Sequence, residues 1–130
     1  SRPNSESFKK DLTKFVSVCH VVKGLRSARL GAIGARPGAF NTVRYSEKIL
    51  QATGITVTTV DLSEILGNSN RLSDDAPKVK SKLEEIQAYA KHDTVPSPAI
   101  LRMAKLGVVI SDWMQANDIQ ATALQCWTSL

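Results

Sequence analysis

Cysteine is scarce in this chain: Cys19 and Cys126 are the whole complement, which excludes the disulfide scaffold of small secreted domains. Both are expected to be reduced thiols in or near the core. Aromatic residues make up only 5%, too few for the interleaving of cations and rings that marks nucleic-acid surfaces. With 7 Gly and 5 Pro, low-complexity and collagen-like states are excluded as well. Long apolar runs are missing: nothing approaches the roughly 18 to 20 consecutive residues that span a bilayer. The opening Ser1-Arg2-Pro3-Asn4 has no basic-then-apolar leader pattern. The expectation is a soluble, cytoplasmic protein with no membrane partner.

Familiar cofactor signatures are missing too. Gly31, Gly34 and Gly38 do not have the spacing of the dinucleotide fingerprint, and no Gly-Lys-Ser/Thr phosphate loop is present. A phosphorelay receiver would need carboxylates at the end of its first strand, where this chain has Ala32-Ile33-Gly34-Ala35. No His/Asp/Glu cluster has metal-ligand spacing. Cys19 and His20, adjacent on a helix, point about 100° apart and cannot easily share one metal. Asp74-Asp75 and Glu84-Glu85 read as helix-start and helix-face charges, and His92 as a lone exposed or helix-terminal imidazole.

What is present is a chain of 130 residues, 42% hydrophobic and 22% charged, enough for a single α/β domain over 1–130. Residues 1–24 read as a leading helix and 25–130 as a parallel-sheet domain. Charge is uneven. Residues 1–60 hold 10 Lys/Arg against 3 Asp/Glu (+7), and residues 61–130 hold 7 against 9 (−2). Most of this charge reads as a solvated face, with no nucleic-acid partner. The chain lacks an initiator Met and ends directly after an apolar stretch, so a piece of something longer is expected.

Phe8, Leu12, Phe15, Val16, Cys19 and Val22 repeat at helical spacing and predict an amphipathic helix from about 5 to 23, with Gly24 as its stop. Ala28 to Ile33 predicts a buried strand, followed by the tight loop Gly34-Ala35-Arg36-Pro37-Gly38. Asn41 or Thr42 is expected to cap a helix carrying Val43, Ser46 and Leu50, which Gly54 ends. Ile55 to Val60 is β-branched and predicts a second strand. After a long crossover, Ser73 should cap a helix with Val79, Leu83, Ile86 and Ala90 on one face. Ser97-Pro98 should open another that runs to about Asn117. Ile119 to Trp127 reads as a third strand.

Strands separated by helices imply right-handed crossovers and a parallel sheet. The expected architecture is a three-layer α/β/α sandwich of the Rossmann-like or flavodoxin-like kind, incomplete here, with strand order 2-1-3. In such a sheet, ligands bind outside the carboxyl ends of the strands at the switch point. That edge gathers Arg36, Pro37, Gly38, Phe40 and Asn41 from the first loop and Gln125 and Trp127 from the last strand.

Backbone N–H groups at the start of a helix attract anions or polar oxygens, and Arg36 adds planar donors. Equally, Gly and Pro can merely shape a turn while Arg36 meets solvent; on physics alone the two readings stand even. Gln125 can hydrogen-bond a sugar hydroxyl through its amide or play a structural part. Trp127 can stack on a sugar face, or pack beneath a helix, the plainer reading.

The run Gly34-Ala35-Arg36-Pro37-Gly38-Ala39-Phe40-Asn41-Thr42, followed by Gly54-Ile55-x-Val57, Val60-Asp61-x-Ser63-Glu64-Ile65 and the closing Gln125-Cys126-Trp127-Thr128, resembles the second, middle domain of the L-fucose and L-arabinose isomerase family. The likeness is to the fucose isomerase-like proteins in particular and covers about Ala28 to Leu130. It implies an aldose–ketose isomerase working through an enediol, with a divalent metal, usually Mn²⁺, held by two acids and a histidine. Those ligands lie downstream of the Gln-x-Trp region, outside this chain. By the resemblance, Arg36 to Asn41, Gln125 and Trp127 line the pocket of a monosaccharide, aldose or ketose. The metal and the catalytic groups belong to the rest of the parent chain, and the parent is a homo-oligomer. The alternatives are a stand-alone α/β module that binds a sugar or anion without catalysis and, last, a basic nucleic-acid binder.

Overall fold

The computed structural model of the chain describes residues 2–125. Helix α1 (Glu6–Leu25) opens on Ser5, whose hydroxyl accepts the Phe8 N–H, and carries Glu6 in its first turn and Lys23 in its last, matching the helix dipole. Strand β1 (Arg29–Ile33) follows, then a 3-10 helix (Gly38–Val43) and helix α2 (Glu47–Ala52). Strand β2 (Thr56–Val60) leads through helices α3 (Leu62–Arg71), α4 (Pro77–Tyr89) and α5 (Ser97–Ala116) to strand β3 (Ala121–Leu124).

The three strands form one parallel sheet in the order β2-β1-β3, so the α/β class and the expected strand order both hold. Leu30 sits level with Val57 on one side and Ala121 on the other, and Ile33 with Val60 and Leu124. One face of the sheet is closed by α3 and α5 through Ile33, Val60, Leu62, Ile65 and Val109, with Trp113 and Leu124 at the margin. Outside α5, helix α4 packs through Val79 against Ala104 and Val108. On the opposite face, among the described elements, the six-residue α2 reaches the sheet from the β2 side.

Several local expectations are corrected. The helix after the first loop is capped by Ser46, whose hydroxyl accepts the Ile49 N–H, and not by Asn41 or Thr42. The intervening 3-10 turn ends at Arg44, whose extended backbone (ψ 142°) resets the chain direction. Helix α3 occupies what reads in the sequence as part of a bare crossover. Ser73 caps nothing helical; its hydroxyl accepts the Asp75 N–H, and α4 begins at Pro77 instead. Strand β3 ends at Leu124, and Cys126 and Trp127 lie outside the described residues. Cys19 is exposed, not in the core.

The acidic pairs behave as read. Lys105 meets Asp74, Lys80 lies 3.0 Å from Asp75 and Lys82 lies 2.5 Å from Glu85, the three carboxylates exposed and the Lys105 and Lys82 side chains partly covered, so the pairs carry small energetic weight. His92 donates from Nδ1 to the Ala90 carbonyl at 3.3 Å, between α4 and α5. No described helix is long and apolar enough to cross a membrane.

Candidate functional site

The carboxyl ends of the three strands meet at one edge. Gly34 leaves β1 with φ 77°, a left-handed turn that a glycine makes without steric cost, and its N–H donates to the Val60 carbonyl at 2.9 Å. From the other side, the Gln125 N–H donates to the Ile33 carbonyl at 2.9 Å. The Gln125 side chain then reaches across: its Oε1 accepts the Ala35 N–H at 2.7 Å. The loop that begins at Gly34 is therefore tied to both neighbours of β1.

Beyond that tie the chain turns outward. Arg36, Gly38 and Asn41 are exposed, and Pro37 and Phe40 are half-buried. The Phe40 N–H donates to the Pro37 carbonyl at 3.0 Å, closing the first turn of the 3-10 helix. Among the described residues the Arg36 guanidinium enters no ion pair. A free planar cation on a braced loop is suited to an anionic or hydroxyl-rich ligand. Gln125 and the Arg36 to Asn41 loop are thus brought together, with the Gln125 carbonyl serving the loop itself. Trp127 lies outside the described residues.

Sequence reading missed one participant. Asp61, directly after β2, caps α3 at the same edge; its Oδ1 accepts the Ser63 N–H at 2.7 Å. The signal was available, since Asp61-x-x-Glu64 before Ile65-Leu66 has the spacing of a capping box. The Ser63 hydroxyl, and then the Ser63 backbone N–H, hold the Asp61 carboxyl below the ordinary carboxylate range. A carboxyl lowered in the folded state contributes stability at neutral pH that is lost as pH falls through the lowered value. Asp61→Asn, which keeps a capping oxygen, should therefore show a shallower loss of stability between pH about 5 and about 2 than the parent chain. Thermal melts across that range check this; superimposable curves would exclude the role.

A cavity of about 430 Å³ between α3 and α5 is lined by Glu64, Asn68, Arg71, Asp112 and Trp113 and shares none of these strand-end residues. Arg71 donates there to Asn68 Oδ1 at 2.6 Å, and Lys78 pairs with Asp112 at 2.7 Å, so its polar groups serve the helices. Among the described residues no group of three or more His, Cys, Asp or Glu could hold a metal ion. They do not fit the divalent metal that the family resemblance implies, and no step through a metal follows from them.

No protein-family model matches the chain. It is similar to the sulfoquinovose isomerases of Priestia aryabhattai and of Priestia megaterium (strain ATCC 12872 / QMB1551), at 22% identity over 128 residues in each case. The match takes in 96% of this chain and 28% of each relative. The chain thus spans little more than a quarter of the curated relatives it matches, and its likeness is to a sugar isomerase.

Proposed function

We propose that this chain is the sugar-pocket-forming domain of an aldose–ketose isomerase-like protein of the L-fucose/L-arabinose isomerase type, with the proton-transfer machinery carried elsewhere in a longer protein. The observation that carries the proposal is the similarity, along nearly the whole chain, to enzymes named for a sugar. The braced strand-end loop supplies the place. Its part is to bind and orient: Arg36 and Asn41 reach the sugar oxygens, Phe40 and Trp127 offer apolar surface to the ring, and Pro37 and Gly38 shape the turn. Gln125 acts as a positioning residue, because its Oε1 fixes the Ala35 peptide from which the loop departs. The ligands of any divalent metal, Mn²⁺ in the family, belong to sequence beyond this chain.

The relatives' named sugar carries a sulfonate, and Arg36 is the cation on the loop suited to pair with one. Titrating the 130-residue chain with sulfoquinovose, L-fucose and L-arabinose, read by backbone amide chemical shifts, tests the assignment. Shifts should concentrate between residues 34 and 41 and at Gln125. Arg36→Ala should weaken binding of the sulfonated sugar by about tenfold or more, the weight of a charge-assisted hydrogen bond, and affect the neutral aldoses less. Shifts confined to another surface, or an Arg36→Ala chain that binds all three sugars as before, would overturn the reading.

A further inference from the structure

The Arg71–Asn68 and Lys78–Asp112 pairs at the cavity between α3 and α5 leave other groups there over. Glu64, in the first turn of α3, presents an exposed carboxylate that enters no hydrogen bond or ion pair among the described residues. Arg71, in the last turn, likewise has no ion pair there. Its Nη2 donates to Asn68 Oδ1, which leaves the rest of the planar fork open. The indole N–H of the half-buried Trp113, a donor only, has no partner either. No buried side-chain N or O among the described residues goes unsatisfied, so this N–H lies at the accessible surface.

The fold holds these groups in position. A Cβ on Gly31 would fall 2.7 Å from Cη2 and Cζ3 of Trp113, so the bare backbone of the middle strand is what lets the ring seat on the sheet. The Arg71 side chain runs back along α3, where a Cβ on Gly67 would lie 3.5 Å from Nη1. Gly67 stands three residues after Glu64, the spacing that places two residues on one face of a helix. The guanidinium and the Glu64 carboxylate thus stand about one helical turn apart, opposite in sign and not joined to each other. Val109, buried, and Leu72, half-buried, add apolar wall beside Trp113.

We propose that this cavity is a site for a free α-amino acid with an apolar side chain, its carboxylate on the Arg71 fork, its ammonium on Glu64 and its hydrocarbon against Trp113, Val109 and Leu72. The charges decide the class. A simple anion would have to sit beside the carboxylates of Glu64 and Asp112, and a simple cation beside Arg71; an α-amino acid carries both signs on one carbon and meets each with its opposite. Glu64 takes the ammonium because Asp112 is already held by Lys78. A residue inside a polypeptide has spent both charges on peptide bonds, so its backbone offers neither group what the free amino acid offers. The volume, about 430 Å³, is in the range of small-molecule sites. The site stands apart from the strand-end loop and does not rest on the sugar-binding reading.

Titrating the 130-residue chain with L-leucine to about 20 mM, enough to reveal millimolar affinity, tests this by chemical shift. The Trp113 indole N–H and the amides of 64–72 and 109–113 should move, and those of 34–41 should not. L-leucinamide, which lacks the carboxylate, 4-methylpentanoate, which lacks the ammonium, and N-acetyl-leucinamide, which lacks both, should each bind about tenfold or more weakly, the weight of one charge-assisted hydrogen bond. Arg71→Gln should bind leucine and leucinamide alike, and Glu64→Gln should bind leucine and 4-methylpentanoate alike. Both side chains are exposed, so the melting midpoints should stay near that of the parent chain. Asp112→Asn should leave both preferences as they were. An indole signal unmoved by leucine would overturn the proposal. So would variants that keep the parent's preferences, or N-acetyl-leucinamide binding as well as leucine, which would make the cavity a seat for a peptide segment.

Discussion

Gly54→Ala is expected to destabilise the chain by about 3 kcal/mol or more and to lower the melting midpoint by roughly 10 °C. Two costs combine. The residue sits at φ 94°, where an L side chain costs about 1–2 kcal/mol. The new Cβ would also overlap the backbone carbonyl of Arg26. A flexible side chain could swing clear of such an overlap, but this carbonyl stands two residues before the Ala28 carbonyl that accepts the Thr56 N–H and begins the β1–β2 ladder. Relief at one point therefore costs hydrogen bonds at the next. Gly38→Ala supplies the control: a Cβ there meets nothing within 4 Å, and its effect should stay within about 0.5 kcal/mol. Differential scanning calorimetry of the two variants settles it, and equal midpoints would refute the argument.

Ile65→Ala should cost about 3–5 kcal/mol, read as a lower urea midpoint at unchanged slope. Ile65 is 1% exposed and packs with Ile33, Val60, Leu62 and Val109, which belong to β1, β2, α3 and α5. Strand and helix backbones on every side cannot collapse into the space that truncation leaves. Ile65 also stands one turn after Asp61, so the same substitution loosens the helix start that borders the candidate site. Ile49→Ala, at a residue 69% exposed, should change the midpoint little. A similar loss at both positions would mean that the core is not where the burial places it.

The strand order β2-β1-β3 is legible in the sequence because the handedness of crossovers leaves few choices for three strands joined by helices. Helix α1 is legible from its periodicity to within about two residues at each end. The pattern of Phe8, Leu12, Phe15 and Val22 does not say what covers them, since amphipathicity names a face and not a partner. Helix α3 escapes a sequence reading because Gly67-Asn68-Ser69-Asn70 has the composition of a loop. Burial of Leu62, Ile65 and even Ser69 against the sheet and α5 overrides that local preference. The start of α2 is misplaced for a related reason: Asn41 and Thr42 are good caps, but the chain spends them in a 3-10 turn and begins again at Ser46.

The candidate site is half legible. A Gly-Pro loop after a strand announces an edge, and Arg36 announces its charge. The bond that fixes the loop joins Ala35 to Gln125, 90 residues apart, and no local pattern encodes a contact of that separation.

The same separation has a consequence for how the molecule comes into being. Strand β1 is the middle of the sheet, yet of its two neighbours one follows directly and the other is nearly the last described segment to leave the ribosome. Through the synthesis of α3, α4 and α5 the nascent β1 must wait with one edge unpaired, exposing the groups that later hold Ala121 to Leu124. Closing so long a loop is slow relative to helix formation, and a waiting strand edge is where nascent chains find wrong partners. The helices between β2 and β3 thus have a temporal role besides their packing: they form early and carry β3 back across β1.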